Sequence, residues 1–161
     1  NPAAHEMLAD LLTNQEDPRI ALQAMRTASR LHPQEPRYLR KAAALCRRLR
    51  WFDEAREALD HALLLAPGDA ATHVEYGLLA LEGGDEPAAL RHYEEAISLD
   101  PQNAPAYYQA GMLYRRQKDF DRAVEYLRQA TRLRPGYSEA LVELAKVTTI
   151  AFMTRRFRPS D

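Results

Sequence analysis

Arg37, Arg40, Arg47 and Arg48 stand at steps of three, seven and eight, which stack cations along one side of a helix. A guanidinium offers a planar fork of donors to a carboxylate, so such a stripe suits recognition of acidic groups. The acids come either from a bound partner or from the chain itself, where Glu6, Asp10, Glu75 and Glu82 occupy adjacent helices. Nucleic acid is disfavoured as that partner, because the same region carries acids and the formal net charge is -1. A second set is apolar: Val74, Leu78, Tyr108, Met112 and Val142 recur at matching places along the chain, with Arg115 beside them. Tyr joins apolar area to a hydrogen-bonding tip and Met adapts to varied partners, so this set suits an apolar anchor on a partner or, alternatively, packing in a seam between helices.

Other reactive residue types lack the spacing that chemistry needs. His5, His32, His61, His73 and His92 are dispersed without an i, i+4 pair or cysteine partners, so no zinc site is expected. Cys46 stands alone and reads as a buried, reduced thiol. Gly83-Gly84 is a turn, for no Lys-Ser/Thr follows to make a phosphate loop, and Glu94-Glu95 belongs to a solvated helix face. No nucleophile is paired with a base. The expectation is a protein that is not an enzyme and takes no metal or cofactor.

The elements that position these residues follow from a period. Pro33, Pro67, Pro101 and Pro135 stand 34 residues apart, and a fixed period of this length marks one supersecondary unit repeated, each burying its apolar face on the next. In the same register Ala21, Ala55, Ala89 and Ala123 align, as do Ala28, Ala62, Ala96 and Ala130, with Met25, Leu59, Tyr93 and Leu127 between them. Small residues mark close helix contacts. Steps of three and four within each period give amphipathic helices, and polar breaks such as Lys118-Asp119 make each period a helical hairpin. The proline ends the second helix, lacking an amide donor and disfavouring helix for the residue before it. Asp17-Pro18, Asp53 and Asp121 mark helix starts.

With the small-residue column Ala9, Ala43, Gly77 and Gly111 added, the chain resembles the tetratricopeptide repeat family. Four units are covered, 2–35, 36–69, 70–103 and 104–137, followed by a C-terminal capping or continuation helix and basic tail over 138–158. The chain departs from the family in carrying His5, Leu39 and His73 where a large aromatic often stands, with only Tyr107 fitting, and in having the inter-helix glycine only as Gly84.

The resemblance implies an all-α, right-handed superhelical solenoid of antiparallel helix pairs, with the first helix of each pair lining a concave face. That lining runs from Glu6, Asp10 and Thr13 through the arginines of the second unit and Val74, Leu78 and Leu81, to Tyr108, Met112, Arg115 and Arg116, and ends at Val142 and Lys146. The implied function is a non-catalytic adaptor that grips a protein or peptide with acidic and apolar residues. The alternative is the recruiting or regulatory arm of a larger transferase or envelope export or assembly protein. The carboxylate clamp of the family's chaperone-binding members is missing: its places hold Glu6, Asp10, Lys41, Ala71 and Glu75 in one register, and Arg40, Ala44, Glu75, Pro105 and Gln109 in the next. Reversing Arg40 and Arg47 to Glu is expected to weaken partner binding with little effect on melting.

The terminal helix repeats the first-helix pattern through Leu141, Leu144, Ala145 and Thr148, but its tail, Ile150 to Met153, is apolar. Cap or continuation is one role for it, and a homo-oligomeric contact is the other. No signal or transmembrane segment is visible, the compartment is left open, and the absence of an initiator Met reads as a fragment of something longer. The excess of Arg over Lys points to a GC-rich, bacterial source.

Overall fold

A computed structural model describes residues 18–156, with Ala4 and Met7 helical ahead of them. Glu6, Ala9, Asp10, Thr13, Asp17, Phe157 and Arg158 lie outside the described residues. Every described element is a helix: α1 Pro18–Leu31, α2 Pro36–Arg48, α3 Phe52–Leu65, α4 Ala70–Glu82, α5 Glu86–Leu99, α6 Ala104–Arg116, α7 Phe120–Leu133 and α8 Ser138–Arg156. First helices α2, α4, α6 and α8 begin 34 residues apart, and so do second helices α1, α3, α5 and α7. Each second helix stops at a leucine two residues before the periodic proline, as the loss of a helical donor requires.

The chain forms two compact units, Asn1–Asp85 and Glu86–Asp161. In the first, Ala21, Met25 and Ala28 of α1 and Ala55 and Leu59 of α3 close on Tyr38, Ala42, Ala43 and Cys46 of α2. Cys46 is buried and free, and burial pushes its thiol pKa up. In the second, Tyr114 of α6, Ala123 and Leu127 of α7 and Val147 of α8 form the core, with Tyr108, Phe120 and Leu144 packed on it. Within each unit the alanine columns are buried, at most 1% exposed at Ala21, Ala28, Ala55, Ala62, Ala123 and Ala130. At Gly111 an added Cβ would lie 2.9 Å from Leu127 Cγ and 3.2 Å from its backbone nitrogen.

One turn geometry recurs between first and second helices. Arg50, Gly84 and Lys118 occupy the same place in successive periods, and all have positive φ, of 62°, 85° and 62°. The amide of Trp51 donates to the Cys46 carbonyl at 2.8 Å, Asp85 to Ala80 at 2.9 Å and Asp119 to Tyr114 at 2.9 Å. This is the left-handed C-cap in which the next amide reaches back to satisfy an orphan helix carbonyl. Only one of the three residues is glycine, so two L-side chains bear a steric cost of roughly 1–2 kcal/mol each. Lys118→Gly is therefore expected to stabilise the chain by about 0.5–1 kcal/mol after the added entropy of unfolded glycine, seen as a higher urea midpoint with an unchanged slope. At the start of α7, Asp119 accepts the Arg122 amide at 3.1 Å, and at the start of α6 Asn103 accepts the Ala106 amide at 3.0 Å.

Candidate functional site

In the first unit the arginine stripe of α2 faces α4, and acids meet it there. Arg40 Nε lies 3.1 Å from Asp69 Oδ2, and Asp69 also accepts the Thr72 hydroxyl at 2.5 Å. Arg47 Nη1 donates to Glu82, and its Nη2 lies 3.7 Å from Glu75 Oε2. Glu75 Oε2 is buried without a hydrogen bond. Burial therefore pushes the Glu75 carboxyl up, against the opposing pull of Arg47 and Arg40. Arg37 is exposed, 3.5 Å from Glu35 and 4.9 Å above the Tyr38 ring, while Arg48 points outward at the end of the helix. Of the apolar candidates on α4, Val74 is buried and Leu78 half-buried.

Arg40 and Arg47 are thus held by the fold's own acids. Glu75 and Glu82 are among the acids expected from the sequence; Asp69, at the mouth of α4, is an addition. Reversing both arginines would set two more carboxylates among Asp69, Glu75 and Glu82, so the neutral effect on melting expected from sequence gives way to an expected loss of stability.

The second unit holds the other half of the candidates. Arg115 of α6 pairs with Glu143 of α8, and Lys146 Nζ donates to the same carboxylate at 2.8 Å. The Lys146 hydrogen bond, with Arg115 nearby, holds Glu143 below the usual carboxylate range. Tyr108 packs its ring 5.0 Å from that of Tyr137, and its hydroxyl pKa is raised by burial first, then by Glu143 and Glu139. Met112 is half-buried and Val142 is 52% exposed. Arg116 reaches back to Glu86 at 2.7 Å.

The Arg115–Glu143 pair repeats Arg47–Glu75 two periods later, at the same separation of 28 residues. Sequence reasoning missed Glu143 as a partner, although the register that aligns Glu75 with Glu143 and Arg47 with Arg115 carries the signal. In the period between them Leu81 and Gln109 hold these places, and no charge pair is possible. Among the described residues, no three or more His, Cys, Asp or Glu side chains converge as metal ligands, and no helix is long and apolar enough to cross a membrane.

Helix pairs of constant period, closed by a repeated turn and packed through columns of alanine, define a helical-repeat protein. Models of the tetratricopeptide repeat match residues 104–137 and 77–117. Over residues 77–137 the chain thus carries tetratricopeptide repeats. Tetratricopeptide repeat protein 36 of Danio rerio is 43% identical over 60 residues, covering 37% of this chain and 32% of that protein. The matched stretch therefore spans about a third of this curated relative's length. Among solved structures, a thermophilic tetratricopeptide protein of Thermus thermophilus aligns with a TM-score of 0.79 at 20% identity, over 94% of this chain and 83% of that one. A chain of the APC/C hetero-tetramer Cut9-Hcn1 aligns at 0.79 and 22% identity, over 94% of this chain and 30% of that one. These likenesses establish the all-α repeat fold. Repeats of this family are protein–protein interaction scaffolds.

Proposed function

We propose that the chain is a non-catalytic adaptor that holds a segment of a partner protein against its first helices, chiefly the face of α6 and α8. The observation that carries this reading is a half-open apolar face, Tyr108, Met112 and Val142, beside two cations, Arg115 and Lys146, that share the single carboxylate of Glu143. An unbalanced cation next to apolar area suits a peptide with an apolar anchor flanked by Asp or Glu. The α2 stripe contributes less to the partner, since Arg40 and Arg47 are already paired. The membership of a structurally similar chain in a hetero-tetramer is in keeping with a role in holding partners.

Peptide-display selection on the folded chain tests the proposal. Selected peptides are expected to share an apolar residue with adjacent acids, and Met112→Glu with Val142→Glu is expected to abolish their binding while leaving stability within about 0.5 kcal/mol at Val142 and somewhat lower at Met112. Peptides without an apolar anchor, or equal binding by the double variant, would overturn it.

A further inference from the structure

The terminal helix differs from the other first helices in a way that exposes a second surface. The turn position held by Arg50, Gly84 and Lys118 is Phe152 in the next period, a bulky side chain unsuited to positive φ. The helix runs through it, and α8 is 19 residues long where α6 is 13. The small-residue column behaves differently too: Ala43, Gly77 and Gly111 are buried, whereas Ala145 is exposed. Leu141, Ala145, Thr148 and Phe152 follow at steps of four, three and four and form one open stripe, with Leu141 46% and Phe152 59% exposed. The neighbouring side of α8 is spent on the core of the unit, through Ala140, Val147 and Ala151.

The chain itself shows what covers such a face. In α2, Ala43 shares one buried cluster with Ala55 and Leu59 of α3. In α6, Tyr107 sits 5.9 Å from the Tyr126 ring, Gly111 abuts Leu127, and Tyr114 lies 5.0 Å from Tyr126, all of these partners being side chains of α7. Leu141, Ala145 and Thr148 are the residues one period after Tyr107, Gly111 and Tyr114. The open stripe of α8 thus continues the interface by which α6 receives α7. The covering stripe is constant: an alanine, a large residue four places on, and an alanine three further, as in Ala55, Leu59, Ala62 and Ala123, Leu127, Ala130.

We propose that this face of α8 docks an amphipathic helix of a partner protein that carries the same stripe, Ala, then Leu or Tyr, then Ala, packed as α7 packs on α6. A second copy of the chain cannot lend that stripe, since Ala55, Leu59, Ala62, Ala123, Leu127 and Ala130 are all at most 1% exposed within their own units. This surface is separate from the face of Tyr108, Met112 and Val142, and its test stands apart from the test of that face.

The probe is a fluorescent peptide of residues 119–134 of this chain, stapled across its solvent side to hold the helix, titrated with the full chain and read by anisotropy. Saturable binding is expected, weakened about tenfold or more by Ala145→Glu in the chain or by an Asp at the Leu127 place of the peptide. The Ala145→Glu variant should melt as the parent does, because Ala145 is exposed. Absence of binding overturns the proposal. So does equal binding by Ala145→Glu, which would mean that the peptide exchanges with α7 instead, and so does a dimer in sedimentation that Ala145→Glu disperses and that excludes the peptide.

Discussion

Leu127→Ala is expected to lower the stability of the chain by about 2–5 kcal/mol, the range for truncating a large aliphatic side chain in a closed core. Leu127 is fully buried, clustered with Tyr114, Ala123 and Val147, and presses on Gly111. That contact also predicts a coupling between the two positions. In the parent, Gly111→Ala brings a methyl to 2.9 Å from Leu127 Cγ and 3.2 Å from its backbone nitrogen. Overpacking of this kind costs about 1–3 kcal/mol, set against a helix-propensity gain of about 1 kcal/mol for replacing glycine. The net expectation is destabilisation. With Leu127 cut back to alanine the 2.9 Å obstruction at Cγ is gone while the 3.2 Å approach to the backbone nitrogen remains, so Gly111→Ala becomes clearly less destabilising. Urea unfolding of the four proteins gives the coupling directly, and a Gly111→Ala effect of the same size in both backgrounds would refute contact with the Leu127 side chain as a reason for glycine.

The same column shows what the sequence makes legible. Ala43 and Gly111 announce close helix approach because only small side chains allow it, and the alanines at 55 and 123 stand on the second helices of the same units. Those features, with the prolines, yield the helix order and the 34-residue period before any coordinates. The turns were less legible. A glycine at 84 signals positive φ by its chemistry, but Arg50 and Lys118 reach the same conformation under tertiary constraint, and their side chains give no local sign of it. The charges were legible in part. Like charge on α2 demanded acids nearby, and Glu75 and Glu82 supply them. Asp69 and Glu143 emerge only when residues are paired across helices one period apart, a comparison between columns and not within one. The open face of α8 was hidden for a related reason: Ala145 fits the buried column by type, and its exposure follows from the straight passage of the helix through Phe152.

Removing the cation at the centre of the α2 and α4 ladder should be the other large effect. Arg47→Met leaves the Glu82 carboxylate without its donor and the Glu75 carboxylate without the charge at 3.7 Å. Arg47 is 18% exposed and Glu75 25%, so some solvent screening remains. The cost at pH 7 is therefore expected at about 1–3 kcal/mol, below the roughly 3–5 kcal/mol of a fully buried broken pair. Its pH dependence has a definite sign. The folded-state pKa of Glu75 is raised above the unfolded value by burial, and Arg47 is the largest influence opposing that rise. A carboxyl raised in this way binds its proton more readily in the folded state, so its charge-burial cost is fully present above the folded pKa and is relieved as pH falls through it towards the ordinary carboxylate range. Without Arg47 the pKa rises further, and the variant gains more from acidification than the parent does. The stability gap between the two should narrow between pH 7 and pH 5 in urea titrations, and adding Glu75→Gln to Arg47→Met should recover much of the loss while flattening its pH dependence. A gap that stays constant with pH in the single variant would place the stabilising role of Arg47 in the packing of its methylenes and not in the charge it holds against Glu75.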